Sequence, residues 1–187
     1  NGMNFVSKWL VNYGLTRFMS LADFGAFSFI SSLANLFKGV MSFGGQLFLI
    51  YKVSKEKELK YYYYLKSVFL SLLIALLLGS SFILLKLFDP SIINTNHFII
   101  AVLLASFMVL IQNTYSFFKG IGLFDKEAKG YMFYLLCVIL LFSALQLKLC
   151  RPSLFSVVGI VMLMHFSLFI VSSFQLYKHY KVDENNE

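Results

Sequence analysis

The chain has 187 residues, of which 59% are hydrophobic and only 13% charged, with a mean hydropathy of +0.76 and a formal net charge of +7. That composition excludes an ordinary soluble domain and points to an integral membrane protein. It also argues against nucleic-acid binding, because the basic residues sit in connections between apolar runs rather than on one polar element.

Counted in runs of ~20 apolar residues, the chain accommodates six spans: 2–19, 26–50, 65–88, 98–118, 131–149 and 154–177. The first is short and interrupted. "KVSKEKELK", "DPSIINTN" and "KGIGLFDKEAKG" are polar connections short enough to make consecutive helices antiparallel. The ~10-residue alternating segments of a transmembrane β-barrel are absent. The expected fold class is therefore all-α, an integral membrane bundle of six transmembrane helices over 1–177 with a polar tail over 178–187. Residues 2–19 lack the cleavage site of a signal peptide.

Orientation follows from the basic residues. With a cytoplasmic N-terminus, Lys52, Lys55, Lys57, Lys60, Lys66, Lys119, Lys126, Lys129, Lys178 and Lys181 fall on the inside, and Arg17, Lys86, Lys148 and Arg151 on the outside. Ten against four predicts that both termini are cytoplasmic, in a multi-pass membrane protein. "YYYY" at 61–64 fits an aromatic belt at the headgroup level.

Two basic residues remain, and both lie inside spans. Lys38 is central in 26–50, ~18 Å of helix from either end, beyond the reach of a snorkelling side chain. Around it Ser28, Ser31, Ser32, Asn35, Ser42, Gly45 and Gln46 recur at steps of three and four and form a polar stripe. Phe29, Leu33, Leu36, Val40, Phe43 and Leu47 form an apolar one. In the first span Asn4, Lys8, Asn12 and Thr16 make a second polar stripe. Intramembrane charge is costly and usually functional, so the expected site is a cationic cavity lined by Lys8, Asn12, Asn35, Lys38, Ser42 and Gln46. The competing expectation is that the small and polar residues form dry helix-packing seams.

The fourth span carries a weaker polar set: Ser106, Asn113, Ser116 and Gly120, with Gln112 and Lys119 nearby. His165, in the last span, fits either a proton relay or a hydrogen-bonded structural histidine. The third and fifth spans are mainly apolar and are expected to face lipid. Cys137 and Cys150 are too far apart on one helix for a disulfide, and neither has a partner at metal-ligand spacing. No phosphate-binding loop, dinucleotide fingerprint, nucleophile elbow or zinc-protease motif occurs. No metal, no cofactor and no enzymatic activity are expected.

The connection "GLTRFMSLADFGAFSF" at 14–29 resembles the R-x-L-S-x-x-D-F-G segment after the first helix of bacterial polysaccharide and O-antigen flippases. These belong to the multidrug/oligosaccharidyl-lipid/polysaccharide exporter superfamily. Arg17, Ser20, Asp23, Phe24 and Gly25 are the matching positions, with Met19 in place of the usual leucine. "FGGQLFLIYKVSKEKE" is similar to the end of that family's second helix, and together the two motifs cover about a fifth of the chain. The resemblance implies a flippase for undecaprenyl-diphosphate-linked oligosaccharide in the bacterial inner membrane, working by alternating access between two bundles. On that reading the chain is the N-terminal half of a two-bundle transporter, and 178–187 starts an inter-bundle linker. Its partners would be the lipid-linked oligosaccharide, membrane lipid, a second helical bundle or another copy of the chain, and other polysaccharide assembly proteins. A drug/cation antiporter of the same superfamily, or a non-transporting scaffold of a polysaccharide assembly complex, are the alternatives. The antiporter would call for intramembrane carboxylates, and no Asp or Glu lies within a span.

Overall fold

The computed structural model describes residues 11–88, 94–147 and 153–184. Every regular element among them is helical. The order is α1 (11–18), α2 (Leu21–Ser42), α3 (Gly45–Lys55), a 3₁₀ turn (Lys57–Leu59), α4 (Lys60–Phe88), α5 (Thr95–Gly120), α6 (Phe124–Gln146) and α7 (Leu154–Glu184). Among the described residues five helices are long and apolar enough to cross a membrane: α2, α4, α5, α6 and α7. The expected first span is described only over its last part, as α1, and Lys8 lies outside the described residues.

Local chemistry explains where the helices begin. Ser20 caps α2: its hydroxyl accepts from the Asp23 amide at 3.1 Å and donates to the Asp23 carboxylate at 3.0 Å. Asp23 stands at the third position of a capping box, but its carboxylate accepts from the Ser20 hydroxyl, where the full box has it accept from the backbone amide of the cap. Asn94 caps α5 by accepting from the Asn96 amide at 3.0 Å.

Three boundaries differ from the sequence expectation. The expected span 26–50 is two helices, because Phe43 (φ 32°) and Gly44 (φ 70°) both take the left-handed conformation. Hydropathy does not register this break, since every residue around it is compatible with lipid. The Gly44–Gly45 pair nevertheless lowers helix propensity by ~2 kcal/mol in total, and an αL residue is the usual helix stop. The loosened Gly39 carbonyl accepts from both the Phe43 amide (3.3 Å) and the Ser42 hydroxyl (3.0 Å). Second, α7 continues past the expected end of the last span at 177 and runs to Glu184, into the polar tail. Third, α6 stops at Gln146, which places Cys150 beyond that helix and outside the described residues.

α5 is the central element. Half of its membrane-length window is buried, against 11% for α4 and 22% for α6. It packs on α2, α3, α4, α6 and α7. Phe27, Ile30, Ala34, Phe37 and Met41 of α2 join Ala101, Leu104, Ala105 and Val109 of α5 and Val157, Val161 and Met164 of α7 in one core. Rings of Phe37, Phe98 and Phe82 link α2, α5 and α4 at 5.1 and 3.7 Å between centroids. On the apolar side of α2, Phe29, Leu36 and Val40 are exposed while Leu33 packs on the core, and most large side chains of α4 are exposed.

The fourth-span polar set is a packing seam. Asn113, fully buried, donates to the Ser71 hydroxyl of α4 at 3.1 Å, and Tyr64 and Thr114 share a hydrogen bond of 3.1 Å. Gly120 lets α3 approach α5. A Cβ there would lie 2.8 Å from Cβ and Cγ1 of Val53 and 3.2 Å from the Ile50 carbonyl oxygen. Lys119 is paired with Glu127 at 2.8 Å, tying α5 to the start of α6.

This packing yields a stability prediction. Gly120→Leu overpacks the α3–α5 contact and costs ~1–3 kcal/mol, lowering the thermal midpoint in detergent measured by circular dichroism. Gly39→Ala, in α2 with open space around the new methyl, leaves the midpoint unchanged or raises it slightly. Equal midpoints for wild type and Gly120→Leu would show that the contact is not tight.

Candidate functional site

Lys38 keeps its central position despite the broken helix. It lies seventeen residues from Leu21, where α2 starts, and seventeen from Lys55, where α3 ends. Its side chain is half-buried and lines a cavity of about 170 Å³ bounded by α1, α2, α5, α6 and α7. Ser31 and Asn35 of α2 and Asn12 of α1 share that lining. Asn35 and Asn12 are exposed, which puts them at its rim.

The expected stripe is therefore gathered only in part. Asn12, Asn35 and Lys38 meet in the cavity. Ser42 does not reach it and bonds back to the Gly39 carbonyl. Gln46 sits across the Phe43–Gly44 break on α3, where its amide donates to the side-chain oxygen of Gln112. Since Gln112 itself lines the cavity, Gln46 holds a wall residue instead of being one. The break rotates the second half of the stripe out of register, so a heptad-like continuation past residue 42 does not survive.

α5, α6 and α7 supply the opposite wall. Tyr115, Tyr131, Tyr134 and His165 are grouped there. Tyr115 and Tyr131 rings are 6.1 Å apart, and Tyr134 meets the His165 ring edge-on at 5.3 Å. Nδ1 of His165 lies 2.8 Å from the Val161 carbonyl oxygen, so in the tautomer that donates there Nε2 carries the lone pair. His165 is thus a hydrogen-bonded, buried histidine that also borders the cavity. Gly130 makes room for this wall: a Cβ at that position would overlap the Tyr115 hydroxyl.

The fifth span was expected to face lipid, and most of its surface is exposed. Its one-turn pair Tyr131 and Tyr134 nonetheless turns inward. Two tyrosines at i and i+3 in an otherwise aliphatic run were the available signal.

Lys38 is the one basic lysine or arginine among the lining residues, and none of them is Asp or Glu. The field inside is accordingly set by a cation, amide groups, tyrosine hydroxyls and an imidazole, an arrangement suited to an anionic or hydroxyl-rich ligand. No group of three or more metal-ligating side chains occurs among the described residues.

The turn residues have local tasks. Arg17 lies over the Tyr13 ring at 5.8 Å, Asp23 completes the α2 cap with Ser20, and Gly25 is exposed on the first turn of α2 with open space around it. No protein-family model, no curated protein and no solved structure matches the chain.

The geometry predicts which positions meet water. In a Cys137→Ser/Cys150→Ser background, cysteines at positions 35 and 38 should react with a membrane-impermeant, hydrophilic maleimide in opened membranes. A cysteine at position 113, buried against Ser71, should not. Labelling of 113 with protection of 35 and 38 would mean that the α2 stripe is the dry seam.

Proposed function

We propose that this protein is one helical bundle of a flippase for a lipid-linked, diphosphate-bearing oligosaccharide. The observation that carries the reading is the meeting of Lys38, Asn12, Asn35, Gln112 and three tyrosines in one mid-bundle cavity without a lining carboxylate. A lysine ammonium attracts phosphate without demanding a fixed geometry, which suits a headgroup that must enter and leave. Amides and tyrosines offer hydrogen bonds and ring faces to sugar hydroxyls and C–H edges. The turn motif of Arg17, Ser20, Asp23 and Gly25 points to the same class through the family resemblance.

The membrane adds a second support. Asn12 and Asn35 are polar and exposed at the cavity rim, and a lysine at the bilayer centre costs ~2.5–3.5 kcal/mol on the insertion scale unless it faces protein or water. A second bundle, or another copy of the chain, would cover this side and close the cavity between them. Transport of that kind has a site at the midplane and two bodies rocking around it. The ten-to-four count of basic residues supports a cytoplasmic position for both termini. A cation antiporter would require carboxylates that the lining lacks.

Replacement of Lys38 by alanine removes one charge-assisted contact of ~1.5–3 kcal/mol. Translocation of lipid-linked glycan by the full-length protein should therefore fall about tenfold or more, with unchanged membrane insertion. Lys38→Arg should retain most of the activity. Undiminished glycan export in Lys38→Ala cells, assayed against a deletion strain, would overturn the cationic-cavity reading.

A further inference from the structure

Gln46 is the polar side chain of the expected α2 stripe that the Phe43–Gly44 break carries onto another helix. There it is the second residue of α3, and its Nε2 donates to Oε1 of Gln112 in α5. Gln112 lines the central cavity together with Lys38, and Gln46 does not. The helix behind the bond is firmly seated. Leu49 and Val53 of α3 are fully buried in one cluster with Ile111, Phe117 and Phe118 of α5, and Val53 lies against Gly120. Gln46 therefore reaches Gln112 from a fixed position.

A primary amide has two unlike ends: its oxygen accepts and its NH2 donates. With the Gln112 oxygen taken by Gln46, the end left for the cavity is the NH2. A reversed pair, with Gln46 accepting, would leave the Gln46 NH2 rather than its oxygen at the first turn of α3. That turn has no side-chain cap, and its backbone N–H groups favour an acceptor. The lining holds no Asp or Glu, so a donor presented beside the Lys38 ammonium favours a ligand group that only accepts. An ionised diphosphate is such a group. A hydroxyl can meet either end of an amide and gains nothing from its orientation.

We propose that Gln46 is a positioning residue that turns the Gln112 amide donor-first into the cavity, so that Gln112 and Lys38 together select a diphosphate. The inference rests on the flippase reading above and names the residue pair that sets its headgroup preference.

Farnesyl diphosphate and farnesol, one prenyl chain with and without the diphosphate, are the probes, with binding to the full chain in mild detergent measured by native mass spectrometry. Wild type should prefer the diphosphate, and Lys38→Ala should weaken its binding about tenfold or more. Gln46→Met, close in volume, should weaken diphosphate binding about three- to tenfold while farnesol changes less than about twofold. Gln112→Met should do the same, and adding Gln46→Met to it should have no further effect, because Gln46 acts only through the Gln112 amide. Unchanged diphosphate binding in Lys38→Ala would overturn the cationic-cavity reading and this inference with it. A loss in Lys38→Ala with none in Gln46→Met would overturn the positioning role alone. So would equal losses of both probes in Gln46→Met, or a full Gln46→Met effect in the Gln112→Met background.

Discussion

Six consecutive residues of α5, Asn113 to Phe118, are buried, and the rest of the bundle is arranged to satisfy them. A helix segment enclosed on all sides within a membrane can leave no polar group without a partner, because neither water nor lipid will supply one. Asn113 is met by Ser71 and Thr114 by Tyr64, both from α4, and the adjacent Gln112 by Gln46 of α3. These three contacts fix the rotation of α3 and α4 about α5. No buried side-chain nitrogen or oxygen among the described residues lacks a hydrogen bond.

The cavity is a consequence of the same constraint applied to the other side of α5. Gln112 and Tyr115 face away from α4, and α6 and α7 carry Tyr131, Tyr134 and His165 toward them. The gap that remains is closed on its last side by α2, whose core-facing residues Phe27, Ile30 and Ala34 pack inward while Ser31, Asn35 and Lys38 flank them. The polar stripe is thus neither the buried face of α2 nor its fully exposed one. It occupies the edge between the two, which is the place where a helix can offer polar groups to an enclosed space without disrupting its own packing.

The break at Phe43–Gly44 separates two tasks along one apolar run. α2 contributes to the cavity, and α3 packs on the end of α5 and carries the chain toward the lysine-rich turn. A continuous helix would have brought Gln46 around to the Lys38 side. The two left-handed residues instead direct it to Gln112, where it supports the wall from behind. At the far end the tyrosines of α4 anchor α7.

The sequence by itself determined the helical class, the position of most spans and the central place of Lys38, because in a membrane each follows from local quantities: run length, backbone hydrogen bonding within a helix, and distance to the nearest end. It also marked Asn12 and Asn35 as polar positions, Asn35 on the face of Lys38. What only the tertiary structure decided was which polar residues share a space. Ser42 and Gln46 leave the cavity through a backbone break that hydropathy does not detect, and Asn113 and Ser116 prove to belong to a buried seam. Tyr131 and Tyr134 enter the cavity from a helix whose composition reads as lipid-facing. Each outcome depends on the rotation of one helix against another, set by contacts such as Gly120 on Val53 that join residues far apart in the chain and leave no trace in either segment alone.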